Sequence, residues 1–100
     1  MPEGLQKYRE TPPFTASDVP SGLLRDHATK EGVWARVHVT DGRISLHVVD
    51  DDVERMHELS SGEEYLVAPM LRHRVALSED AVFHIEFLRK APEANDDPND

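Results

Sequence analysis

Cysteine is absent from the chain. That excludes disulfides, thiolate nucleophiles and thiolate zinc sites, and it fits a reducing, cytoplasmic setting. Positive charge is scarce: 11 lysines and arginines face 20 aspartates and glutamates, giving a net charge of −9. A nucleic-acid backbone or an anionic membrane would repel such a chain, so neither is expected as a partner. No apolar run approaches the roughly 20 residues needed to span a bilayer, and no secretory leader pattern opens the sequence. Two signatures are also missing: a glycine-rich loop after a strand, and a serine in a nucleophile elbow. Nucleotide-dependent methyl transfer and acyl transfer therefore have no support in these residues.

What is present reads as one domain of 100 residues. At 38% hydrophobic and 31% charged it is apolar enough to form a core. A chain this short buries only about two-thirds of its surface, so dimerisation would add useful burial. Residues 1–22 carry Pro2, Pro12, Pro13 and Pro20 and read as an extended arm or edge strand, because proline donates nothing to a ladder. Residues 91–100 are rich in Asp, Asn and Pro and read as a disordered acidic tail. Between them, residues 23–90 alternate short strands with turns.

Leu23–His27 reads as a short strand ending at a histidine. Val33–Thr40 is the clearest strand, with Val33, Ala35, Val37 and Val39 on one face and Trp34, Arg36, His38 and Thr40 on the other. Asp41-Gly42 carries a hairpin signal. Strands follow at Arg43–Val49, Glu64–Ala68, His73–Leu77 and Val82–Leu88, whereas Val53–Leu59 reads as a polar connection, with one strand as the alternative. The absence of any convincing helix argues for an all-β sandwich or barrel.

Two histidine-bearing segments stand out: His27-x-Thr29-Lys30-x-Gly32-x-Trp34, and Pro69-x-x-x-His73-Arg74-Val75-x-x-Leu77-Ser78-x-Asp80. Together with Gly42 between them, they resemble the TehB/YeaR-like domain associated with tellurite-resistance proteins. The resemblance implies a small cupin-like double-stranded β-helix, or jelly-roll barrel, with His27 and His73 at its mouth and basic residues at Lys30 and Arg36. It also implies a departure from metal-binding cupins. Ala35 falls where their glutamate stands, and Glu31 lies near the place of their second histidine.

On this reading His27, His73 and Glu31 are the candidate ligands of a divalent metal such as zinc, nickel or iron. The alternative is a pair of rim histidines that fix loops by hydrogen bonding. Lys30, Arg36 and Arg74 are candidates for holding a small ligand or oxyanion, with surface salt bridging as the plain alternative. A second cluster of His38, His84, Glu86, Arg36 and Trp34 shares one sheet face if the Val33–Thr40 and Val82–Leu88 strands are neighbours. Cross-strand ion pairing, for instance Arg36 with Glu86, is the favoured reading there, and a metal site is the other. The expected function is a cupin-like module holding a metal ion or small oxyanion at the barrel mouth. The alternatives are a metal-dependent enzyme, or an interaction protein that forms a homodimer through its arm and sheet face.

Overall fold

The computed structural model describes residues 4–90, so the acidic tail lies outside the described residues. The strands are β1 (Leu5–Glu10), β2 (Phe14–Thr15), β3 (Trp34–Asp41), β4 (Arg43–Asp50), β5 (Val53–Ser60), β6 (Glu64–Val67), β7 (Arg72–Leu77) and β8 (Val82–Lys90). They form two antiparallel sheets. The larger has the order β1-β8-β3-β6, with β2 also on β8, and the smaller has the order β5-β4-β7. The core lies between them. Ala35, Val37 and Val39 from β3 meet Ile44, Leu46 and Val48 from β4, and Phe83 and Ile85 from β8 complete the filling. These are the alternate positions of each strand, as a two-layer β fold requires.

The proline-rich arm belongs to the larger sheet. Leu5–Glu10 pairs with the end of β8, and Phe14-Thr15 with its start. Pro12 and Pro13 separate the two stretches. Around them, Thr11 N–H donates to Ile85 O (2.9 Å), and Ile85 N–H donates to Thr11 Oγ1 (3.0 Å).

Three expectations need correction. Leu23–His27 is not a strand, because Pro20 starts a 3-10 helical turn over Ser21–Leu24, and only His27 makes a β-bridge. Val53–Ser60 is a full edge strand, although of its residues only Leu59 is buried. Its pairing comes from the turn at Asp51 and Asp52, whose φ values of 52° and 64° fold the chain directly back so that Asp50 faces Val53. Such a two-residue turn matches the twist of the strands it joins, and the backbone ladder does not need an apolar alternation. Finally, Asp41-Gly42 does not make a hairpin. β3 lies in the larger sheet and β4 in the smaller, so Gly42 (φ +67°) is the corner where the chain changes sheets.

The β7–β8 connection makes the opposite crossing beside it. Ser78 N–H donates to Arg43 O and Arg43 N–H donates to Ser78 Oγ, both at 3.0 Å, and Ser78 Oγ–H donates to Asp80 Oδ1 at 2.7 Å. These paired corners close one end of the barrel. The other end is open.

Candidate functional site at the barrel mouth

The open end holds a cavity of about 310 Å³ whose walls include Val33, Ala35, Val37, Val75, Ile85 and Phe87. Its polar groups converge on two histidines. His27 and His73 exchange both backbone hydrogen bonds, His27 N–H to His73 O at 3.0 Å and His73 N–H to His27 O at 2.8 Å. That bridge brings the rings to a centroid separation of 4.1 Å. Each Nδ1 lies 2.9 Å from a carbonyl oxygen, of Arg25 for His27 and of Leu71 for His73. A carbonyl can only accept, so Nδ1 carries the proton in both rings and, when the rings are neutral, Nε2 keeps its lone pair. Burial favours the neutral form and lowers the pKa of His73 below 6.5, against the opposing effect of the Leu71 carbonyl, which favours the charged form.

The rim is basic. Lys30 lines the cavity from a turn closed by Val33 N–H donating to Lys30 O (3.0 Å), and Thr29 Oγ1–H anchors that turn on Val33 O (2.7 Å). Arg9 and Tyr8 both line it too, because β1 bulges between Lys7 and Arg9. An ordinary strand would send neighbouring side chains to opposite faces; the bulge turns both toward the mouth. The Arg9 guanidinium stacks on Phe87 (5.7 Å), and that of Arg89 on Tyr8 (4.4 Å). Among the described residues, no carboxylate lines the cavity.

The expected site residues therefore divide. His27, His73 and Lys30 come together at the mouth. Glu31 is exposed and does not line the cavity. Arg36 is on the opposite face of β3, paired with Glu86 (3.3 Å) and Glu64 (3.9 Å). Arg74 also lies outside the cavity, and it bonds Asp26 and Glu54 at 3.0 Å each. Through Asp26 it braces the segment that carries His27. The sequence offered no sign of Tyr8 or Arg9, because a bulge leaves no mark in a run such as Gln6-Lys7-Tyr8-Arg9.

The described residues at this mouth do not make up a zinc-type ligand set. Zinc sites need three or four protein donors, and among the described residues two imidazoles stand here without a carboxylate.

The second cluster is assembled as its strand positions imply. His38 faces His84 and Arg36 faces Glu86 in the β3–β8 register, on the sheet face away from the core. The imidazoles stack at 4.8 Å with their planes 11° apart, and His38 Nε2 lies 3.1 Å from Glu86 Oε1. Burial alone would raise the Glu86 carboxyl. The hydrogen bond and charge of His38, together with Lys7, outweigh it and hold the group below 4.5.

Two antiparallel sheets enclosing a pocket, with histidines at the open end, define a cupin-type β-barrel. The chain belongs to the TehB-like domain family, whose sequence profile matches residues 9–85. Its fold is similar to that of a protein from Escherichia coli (TM-score 0.83, 21% identity), over 92% of this chain and 97% of that one. It is also similar to TehB from Haemophilus influenzae (TM-score 0.75, 27% identity), over 90% of this chain. The match spans only 33% of the TehB chain. Oxalate decarboxylase from Bacillus subtilis shares the fold more distantly (TM-score 0.57, 12% identity), over 67% of this chain and 18% of that one. Among curated proteins none matches the sequence.

Proposed function

We propose that this domain is a binding module for a small oxyanion, held at the barrel mouth between His27, His73, Lys30 and Arg9. The observation that carries the reading is a small cavity whose described lining has two imidazoles, two cationic side chains and no carboxylate. An oxyacid that keeps one hydroxyl suits that set. Its O–H donates to a neutral Nε2, while its charged oxygen meets Lys30 or Arg9. A fully deprotonated anion would instead draw a proton onto a histidine, so its affinity rises as pH falls. At about 310 Å³ the cavity lies at the small end of ligand pockets and excludes bulky substrates. Hydrogen tellurite has this chemistry, and the family's association with tellurite resistance makes it the first compound to try.

The test is a titration of the histidine ring protons by NMR with tellurite, selenite, phosphate and acetate in turn. Saturable shifts at His27 and His73 are expected for at least one of them. Lys30→Ala and His27→Ala should each weaken that binding by about tenfold, since a charge-assisted hydrogen bond contributes about 1.5–3 kcal/mol. Absence of saturation by about 10 mM with every anion, or parental affinity in both variants, would sink the reading.

A further inference from the structure

We propose that the outer face of the larger sheet carries a second site, separate from the mouth, in which His38, His84 and Glu86 bind a zinc-class divalent cation. Among the described residues these three form a group whose donor atoms all lie within 4.8 Å of one another. Two imidazoles and a carboxylate are the ligand types that zinc and its neighbours in the first transition row accept, with positions left open for water.

Three features of the surroundings support it. The ligands come from paired strands, with His38 directly opposite His84, so the sheet fixes their spacing. Their side chains are only 23%, 20% and 15% exposed, which limits the rotamer freedom lost on binding. Further carboxylates stand behind the imidazoles: Glu64 lies 3.0 Å from His38 Nδ1 and Glu10 lies 3.6 Å from His84 Nε2. A carboxylate on the second ring nitrogen orients a ligating histidine and raises its basicity. The charge balance points the same way. Among the described residues, Glu10, Glu64 and Glu86 face the two cations Lys7 and Arg36, leaving one negative charge when both imidazoles are neutral.

The same two cations are the competitors. Lys7 Nζ sits 3.4 Å from Glu86 Oε2 and 2.8 Å from Glu10, while Arg36 holds Glu86 Oε1 at 3.3 Å. A metal ion must displace them from Glu86, so removing Lys7 should tighten binding. A simple ion-pair network would instead lose stability when Lys7 is removed and gain nothing toward metal.

The experiment uses the full chain without an affinity tag, titrated with Co²⁺ for its absorption bands and with Zn²⁺ for thermal stability. Saturation at one Co²⁺ per chain is expected, with a Tm rise on the order of 10 °C once Zn²⁺ exceeds Kd about a hundredfold. Glu86→Gln and His84→Ala should each weaken binding at least about tenfold, since loss of a mere outer-shell partner already costs about 10–100-fold. Lys7→Met should tighten it several-fold, and the double variant His27→Ala, His73→Ala should bind as the parent does. No Tm shift at about 1 mM Zn²⁺ would overturn the proposal. So would cobalt binding that survives Glu86→Gln and His84→Ala, that disappears with His27 and His73, or that Lys7→Met leaves unchanged. Anion binding at the mouth is read by a separate titration, so the two sites fail or stand independently.

Discussion

Gly42→Ala tests the corner that closes the barrel. The residue has φ +67°, and a Cβ there would lie 2.6 Å from Asp80 Oδ1 and 2.7 Å from both the N and Cα of Ala81. Left-handed backbone costs a non-glycine residue about 1–2 kcal/mol, of which about 0.4–1 kcal/mol is recovered because alanine stiffens the unfolded chain. The overlap is with backbone, and with an Asp80 carboxylate already bonded to Ser78, so little can move aside. Forced overpacking of this kind costs about 1–3 kcal/mol. The sum is about 2–4 kcal/mol, a large part of the stability of a small domain. For a chain of this size that lowers Tm by about 10–25 °C. Gly62→Ala is the control: φ is +88°, but no atom lies within 4 Å of the added Cβ, so only the conformational term remains. Thermal unfolding of both variants, followed by circular dichroism and Trp34 fluorescence, separates the two terms. Equal losses of Tm in the two variants would refute the packing argument. Because Gly42 is at the closed end, the folded fraction of Gly42→Ala should keep the anion affinity of the parent.

Two further predictions concern the turn and the mouth. Asp52→Gly should stabilise the protein by about 0.5–1 kcal/mol, because Asp52 holds φ 64° beside another aspartate in the same state; urea denaturation would show it, and an unchanged or lowered midpoint would contradict the turn assignment. For His73 the folded pKa lies below 6.5, so the unfolded chain binds its proton first as pH falls. The stability linked to its burial is complete above pH 6.5 and is lost as pH drops through the folded value. The Tm advantage of the parent over His73→Gln should therefore shrink between neutral and mildly acid pH, and a constant gap would show that His73 is not buried in its neutral form.

Much of the architecture was legible in residue order. Val37 and Val39 alternating with Arg36 and His38 identify a strand and both its faces, and the same pattern in Phe83–Glu86 supplies its neighbour. Their pairing, and with it the His38, His84 and Glu86 cluster, follows once the two strands lie side by side. Val53–Ser60 was read chiefly as a connection because its stability comes from backbone bonds to β4 across the Asp51-Asp52 turn, not from an apolar face. Gly42 was misread for a related reason: a glycine at φ > 0 signals a change of direction, and a hairpin and a corner between sheets need the same dihedral.

Residue order by itself settles that this chain folds as a small all-β domain without thiol chemistry, with histidines in two segments far apart along the chain. Strand periodicity and the absence of cysteine are local properties, readable one residue at a time. Which of the polar residues form a site is a tertiary matter. His27 meets His73 through a single bridge, Arg9 turns inward because of one bulge, and Glu31 and Arg36 fall outside the cavity although they adjoin residues that line it. Adjacent residues on a strand face opposite ways, so nearness in sequence does not predict nearness at a site. That geometry makes the mouth, a candidate metal or oxyanion site by sequence, a basic pocket, and it gathers His38, His84 and Glu86 on the opposite face of the sheet.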